Sequence, residues 1–198
     1  CSSDLHKDLK LELKLVLAGY YENHEKYNLA IHAMESVRKE KNYNKGHDYY
    51  LASLYEKVKD CGNSRSVIER ILSQHPNDAH ALNFLGYSLL ERGIELDTAL
   101  VMIKKAVSLK PKDGYIRDSL GWYYFKRGQI ELALKEIREA YRLVKRKDVV
   151  IAKHLALIYK KVKKYELAKR YYVEALKNCR VESEKIEVRQ ALKELEGL

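Results

Sequence analysis

Residues that break or turn a chain are scarce here: in 198 residues there are two prolines and nine glycines. Against a background of Leu, Lys, Glu and Ala, good helix formers, that scarcity leaves no strand-like run bounded by turn dipeptides and predicts one all-α body. Cysteine is nearly absent as well. Cys1, Cys61 and Cys179 are too few and too scattered for a disulfide framework, and no C-x-x-C pair suggests zinc or redox chemistry. No apolar run reaches the roughly 18 to 20 residues of a membrane-spanning helix. Glutamine occurs only at Gln74, Gln129 and Gln190 while Lys and Glu abound, a bias that a heat-adapted source or an AT-rich genome would each produce. The hydrophobic fraction of 46% is nevertheless enough to bury a core, so no long segment reads as disordered.

Catalytic patterns are missing too. The seven histidines, His6, His24, His32, His47, His75, His80 and His154, are spread along the chain without an H-E-x-x-H or a nucleophile–base arrangement. His75 and His80 flank Pro76 and are read as surface residues rather than metal ligands. There is no glycine-rich phosphate loop. These absences predict a chain that is not an enzyme and uses no cofactor or metal.

What the chain does have is repetition, clearest over residues 114–140. Ser119-Leu120-Gly121, Tyr124 and Gly128 give a first helix a small residue where a neighbour comes close, an aromatic one turn later, and a stop. Ala133, Ile137 and Ala140 then fall at i, i+4 and i+7, a small-residue stripe on a second helix. Fainter copies keep the register: Ala18 to Ala52 and Ala30 to Ser64 are each 34 residues apart, as are Ala99 and Ala133, while Gly86 to Gly121 and Ala133 to Ala168 are 35. One extra residue is therefore placed in the turn between Gly93 and Asp97, where insertion costs little. Pro76 and Pro111 close two of the copies.

This pattern resembles the tetratricopeptide repeat, whose signature is W-x2-L-G-x2-Y…A-x3-F…P over about 34 residues. The resemblance implies an all-α solenoid of five helical hairpins plus a C-terminal capping helix. The expected repeats are 5–42, 45–76, 79–111, 114–145 and 149–180, in one array with no linker, after a short tether at 1–4. The cap is expected at 182–196, where Val188, Ala191, Leu192 and Leu195 form an amphipathic stripe. In the first repeat Leu9, Leu11, Leu13, Leu15 and Leu17 alternate as in a strand, but their helix propensity and the match of Leu17-Ala18-x-x-Tyr21 to Leu120-Gly121-x-x-Tyr124 predict a helix. Such a helix carries leucines on more than one face, leaving apolar surface for a partner, a second copy or a membrane surface. Its partner helix is expected over 27–40.

Arrays of this kind bind extended protein segments on the concave wall made by their first helices. Carried over by register, the lining here is Tyr49 and Ser53, then His80, Asn83 and Tyr87, then Tyr115, Asp118, Trp122 and Phe125, then Lys153, Leu157, Lys160 and Lys161. Trp122, the single tryptophan, is expected to stand open at the centre as an anchor. A subgroup of the family clamps a C-terminal carboxylate with two Lys, two Asn and an Arg. No register here supplies that set, which argues against a chaperone-tail co-chaperone.

Charge is the other signal. Fourteen Lys or Arg against four acidic residues lie between Arg138 and Arg180, which accounts for the whole formal excess of +10. Such a zone suits an acidic protein surface or anionic lipid; without a nucleic-acid module, RNA or DNA is a poor fit. Cys1-Ser2-Ser3 looks like the mature start of a bacterial lipoprotein, with Cys1 as the lipid attachment site; a cloning boundary would read the same way. Together with the Asn83-Phe84-Leu85-Gly86-Tyr87 and Asp118-Ser119-Leu120-Gly121-Trp122 motifs it resembles repeat-containing lipoproteins of Gram-negative bacteria. That resemblance implies a periplasmic scaffold or adaptor, lipid-anchored to the outer membrane, whose partner is a periplasmic protease or an envelope assembly complex. The alternatives are a cytoplasmic interaction module cut from a longer protein and a basic nucleic-acid binder.

Overall fold

The computed structural model describes residues 2–197; Cys1, the expected lipid site, lies outside the described residues. The described residues are all-α, with eleven helices and no strand. They run α1 (Ser2–Asn23), α2 (Tyr27–Glu35), α3 (Lys45–Lys57), α4 (Cys61–Gln74), α5 (Ala79–Arg92), α6 (Leu96–Leu109), α7 (Gly114–Lys126), α8 (Ile130–Leu143), α9 (Val149–Lys161), α10 (Tyr165–Asn178) and α11 (Glu182–Glu196). The chain divides into two compact units between Ser88 and Leu89, inside α5, where a single undivided array was expected. No described helix is long and apolar enough to cross a membrane.

Local chemistry sets the helix ends. Asn44, Asp60, Asp113 and Asp148 each cap a helix by accepting backbone N–H bonds with their side chains. Asp78 does the same for the N–H groups of His80 and Ala81 at the start of α5. Between first and second helices the chain passes through the left-handed region at Glu25, Lys59, Gly93, Gly128 and Lys163, which recur every 34 or 35 positions. The extra residue of the third copy falls at Glu95, a second left-handed residue in that turn. The 35-residue step from Ala133 to Ala168 is taken up in the turn after α8, where Lys145 and Arg146 are both left-handed.

In the first unit α1 packs on α2 and α3 on α4. The alternating leucines are helical, as expected, and they split between faces: Leu11 is buried while Leu9, Leu13, Val16 and Tyr20 are exposed. α1 reaches back to Ser2, into the stretch read as a tether, because nothing between Ser2 and His6 breaks a helix. α2 is shorter than its expected 27–40 and stops at Glu35. There Ser36 donates its hydroxyl to the Ala33 carbonyl, and Val37, Arg38 and Glu40 make bonds to the third residue back, so the chain tightens into turns. Val37 stays fully buried all the same.

In the second unit the hairpins α7/α8 and α9/α10 pack on one another through α8 and α9, and α11 lies against α10. The core joins Ala133, Ile137 and Ala140 to Ile151, Leu155 and Ile158, then to Ala168, Tyr172, Val188 and Leu195. Gly121 sits where α7 meets α8 most closely. A Cβ there would lie 2.3 Å from Ile137 Cγ1 and 3.1 Å from the Ile137 nitrogen. Gly114 is as tight, with Val144 Cγ1 2.7 Å and the Ala140 carbonyl oxygen 2.8 Å from its would-be Cβ. Gly121 and Gly114 are thus helix–helix contact points, whereas Gly93 and Gly128 mark left-handed turns.

Candidate functional site

The residues singled out by register lie on the first helices of each unit, and each unit holds its own set. In the first unit Asp78 is the centre. It accepts from the Tyr49 hydroxyl at 2.6 Å and from Lys45 Nζ at 2.6 Å, besides capping α5. Burial alone would raise the Asp78 carboxyl, but the bonds from Lys45, Tyr49 and the Ala81 N–H outweigh it and hold the group well below the usual carboxylate range. The Tyr49 hydroxyl is pushed up by burial and by its bond to Asp78. Ser53 bonds back to the Tyr50 carbonyl, Asn83 and Tyr87 are half-buried, and the Asn83 side-chain carbonyl is buried with no hydrogen-bond partner among the described residues.

The Asp78 contacts give a direct expectation. Asp78→Ala should cost the first unit about 2 kcal/mol through a lost cap and a lost buried hydrogen bond. A carboxyl held low in the fold adds stability above its unfolded pKa, and that contribution disappears as pH falls through the folded value. Wild type and Asp78→Ala should therefore converge on acidification in urea-unfolding curves. A gap that widens toward low pH would refute the assignment.

In the second unit the face is locked by bonds between successive first helices. The Trp122 indole N–H donates to Glu91 Oε1 at 2.7 Å, and its ring stacks on His154 at 3.9 Å between centroids, inclined by 14°. Lys126 covers the other approach, its ammonium 5.5 Å from the ring centroid and 3.5 Å from Glu91, with Phe125 5.0 Å away. Trp122 is consequently only 8% exposed, against the expectation that it stands open. Amphipathic neighbours on its own face reach over it, which register could not reveal. Asp118 is buried and shares its two oxygens with His154 Nδ1, at 3.0 and 2.9 Å. Burial raises the Asp118 carboxyl above its ordinary value, and the bond with His154 only partly offsets this.

Farther along, Lys153 pairs with Glu187 at 2.7 Å and Lys160 with Glu194 at 2.8 Å. Each pair is 34 residues apart, so α11 presents its carboxylates at the register of a further first helix. Tyr115 is 61% exposed, and Lys161, also exposed, makes no ion pair among the described residues. Phe125 and Leu157 are half-buried, and His80 is exposed. The structure thus joins Trp122 to Phe125 and, through His154, to Asp118, and it adds His154, Glu91 and Lys126, which register did not assign to the face. Their signal was available only as spacing: Asp118 to His154 is 36 residues and Glu91 to Trp122 is 31, each close to one repeat.

No family model matches the chain. The TPR repeat-containing protein PA4667 of Pseudomonas aeruginosa is 27% identical over 148 residues, 75% of this chain. The chain spans about a quarter of that relative's length, 25%. Among solved structures, TTC0263, a thermophilic TPR protein of Thermus thermophilus, superposes with a TM-score of 0.79 at 20% identity, over 95% of this chain and 100% of that one. PilW, described as a widely conserved type IV pilus biogenesis factor, gives 0.71 at 18% identity over 94% and 86% of the two chains. PilF of Pseudomonas aeruginosa gives 0.67 at 16% over 96% and 90%. The chain is a helical-repeat protein, and its fold is that of the tetratricopeptide repeat.

Proposed function

We propose that the chain is a non-enzymatic scaffold that holds a protein partner on the first-helix face of its second unit and works at the bacterial cell envelope. The observation that carries the reading is the set of cross-helix bonds: Glu91 to Trp122, Asp118 to His154, Lys153 to Glu187 and Lys160 to Glu194. They fix the face before any partner arrives, so little side-chain freedom remains to be lost on binding. Tyr115, Phe125 and Lys161 then offer an aromatic and cationic contact, and Lys153 and Lys160 can exchange their own carboxylates for a partner's. In the first unit Tyr49, Asn83 and Tyr87 belong to the same reading. Trp122 acts here by holding the face in place rather than as an open anchor.

The likeness to PilW, a pilus biogenesis factor, supports a partner of the envelope-assembly kind, and lipid attachment at Cys1 is part of this proposal. A cell-based crosslinking experiment tests the face. A photoreactive residue placed at Tyr115 or Lys161 should trap one and the same protein, whereas one placed at Val101 of α6 or Val173 of α10, both exposed on second helices, should not. Equal trapping from all four positions, or trapping from Val101 and Val173 alone, would remove the first-helix face as the binding site. Labelling with a fatty-acid probe, lost on Cys1→Ala, tests the anchor.

A further inference from the structure

On the second helices of the second unit lies a cavity of about 710 Å³ that the partner-binding reading does not use. α8 contributes Lys135, Arg138 and Arg142, the following turn Arg146, and α10 Arg170, with Tyr141 and Tyr171 forming an aromatic wall. Two carboxylates also line it, but both are engaged: Glu139 by Arg142 and Glu174 by Lys177. Arg138 is held against Tyr159, to whose hydroxyl it donates. Lys135, Arg146 and Arg170 have no acceptor among the described residues. Arg146 reaches the cavity from the turn that carries the extra residue of this repeat, in left-handed backbone with φ of 60°.

A second, independent observation is on the wall itself. Tyr141 is 5% exposed, and its hydroxyl is buried with no hydrogen-bond partner among the described residues. A buried donor left in this state is a cost that native proteins rarely carry without a reason. The positive groups also converge: Arg170, Arg138 and Arg146 all bear electrostatically on the Tyr171 hydroxyl.

We infer that this cavity binds a phosphate monoester, with the phosphate between Arg146 and Arg170 and the organic group along Tyr141 and Tyr171. A phosphate monoester dianion brings two charges and three terminal oxygens to two uncommitted guanidinium groups, whose forks match it bidentately. A carboxylate brings one charge and two oxygens. The free phosphate ion would leave most of the cavity and both rings unused, whereas an ester fills a space of the size typical of small-molecule sites. The ester can be a soluble metabolite or a lipid headgroup, since the recognised chemistry is the same.

Calorimetric titration with phenyl phosphate, and flotation with phosphatidylcholine vesicles containing phosphatidic acid, separate the two sources. Arg146→Asn with Arg170→Gln is the test variant, because asparagine tolerates the left-handed backbone at 146. The double variant should weaken binding by about tenfold or more, while Lys104→Glu, exposed on α6 and outside the cavity, leaves it unchanged. Melting curves of both variants confirm that they fold. Binding of phenyl phosphate alone assigns a soluble ester, and binding of the vesicles alone assigns a lipid. If neither probe binds, if the double variant binds as wild type does, or if benzoate binds as tightly as phenyl phosphate, the inference fails. Because the cavity shares no residue with the partner face, failure of one reading leaves the other standing.

Discussion

Replacing Gly121 with leucine should lower the stability of the second unit by about 3 kcal/mol or more, whereas Lys126→Ala should change it little. A Cβ at position 121 would lie 2.3 Å from Ile137 Cγ1. Ile137 is fully buried, and its own nitrogen stands 3.1 Å from the same point, so neither the side chain nor the backbone of α8 can step aside freely. Alanine at 121 gains about 1 kcal/mol in helix propensity yet meets the same contact, so a smaller net loss is expected. A paired substitution makes the test specific. Ile137→Ala alone should cost about 2 to 5 kcal/mol by leaving a cavity. Combined with Gly121→Ala it should cost less than the two singles together, because the new methyl enters the space the isoleucine left. Strict additivity would show that the two positions do not touch.

Asp118→Ala should be nearly as damaging, at about 3 kcal/mol, because it strands the buried His154 ring without the oxygens that now face Nδ1. It should also shift the emission of Trp122 to longer wavelength, since the indole stacks on His154 and is the only tryptophan in the chain. Asp118→Asn, which keeps an acceptor, should move emission far less. Acidity provides a further check with a definite sign. Burial raises the Asp118 carboxyl in the fold, so its contribution is fully present below the unfolded value and fades as pH rises through the folded one. Wild type should therefore exceed Asp118→Asn most at low pH, with the margin shrinking upward from about pH 4. A margin that grows with pH would mean that the ionised pair with His154 outweighs burial. The opposite trend expected for Asp78, whose carboxyl is held low, allows the two acids to be told apart in one protein.

The helices were legible because their signals are local and repeated. Ala30, Ser64, Ala99, Ala133 and Ala168 recur at one register, and all five are fully buried. Two left-handed turns were marked by Gly93 and Gly128, but Glu25, Lys59 and Lys163 occupy the equivalent places without glycine, and only the backbone reveals them. The end of α2 at Glu35 was missed for a related reason: the Ser36 hydroxyl's bond to a carbonyl three residues back is a choice that composition does not dictate.

The site was less legible than the fold. Register put Tyr115, Asp118, Trp122 and Phe125 on one helix, but it could not say which would be covered, because that depends on side chains of the neighbouring first helices as well as on Lys126 of the same helix. Lys126, His154 and Glu91 enclose Trp122 only once α5, α7 and α9 are brought side by side. Nor does a count of Lys and Arg between 138 and 180 distinguish Lys153 and Lys160, neutralised by α11, from Arg146 and Arg170, which have no acceptor among the described residues. The sequence by itself determined the repeat, its period and the close contacts at Gly121, because periodicity and small residues act over a few turns of helix. Tertiary structure alone decided which groups of the first-helix face are buried or paired, because Glu91–Trp122, Asp118–His154, Lys153–Glu187 and Lys160–Glu194 join atoms roughly one repeat distant in the chain.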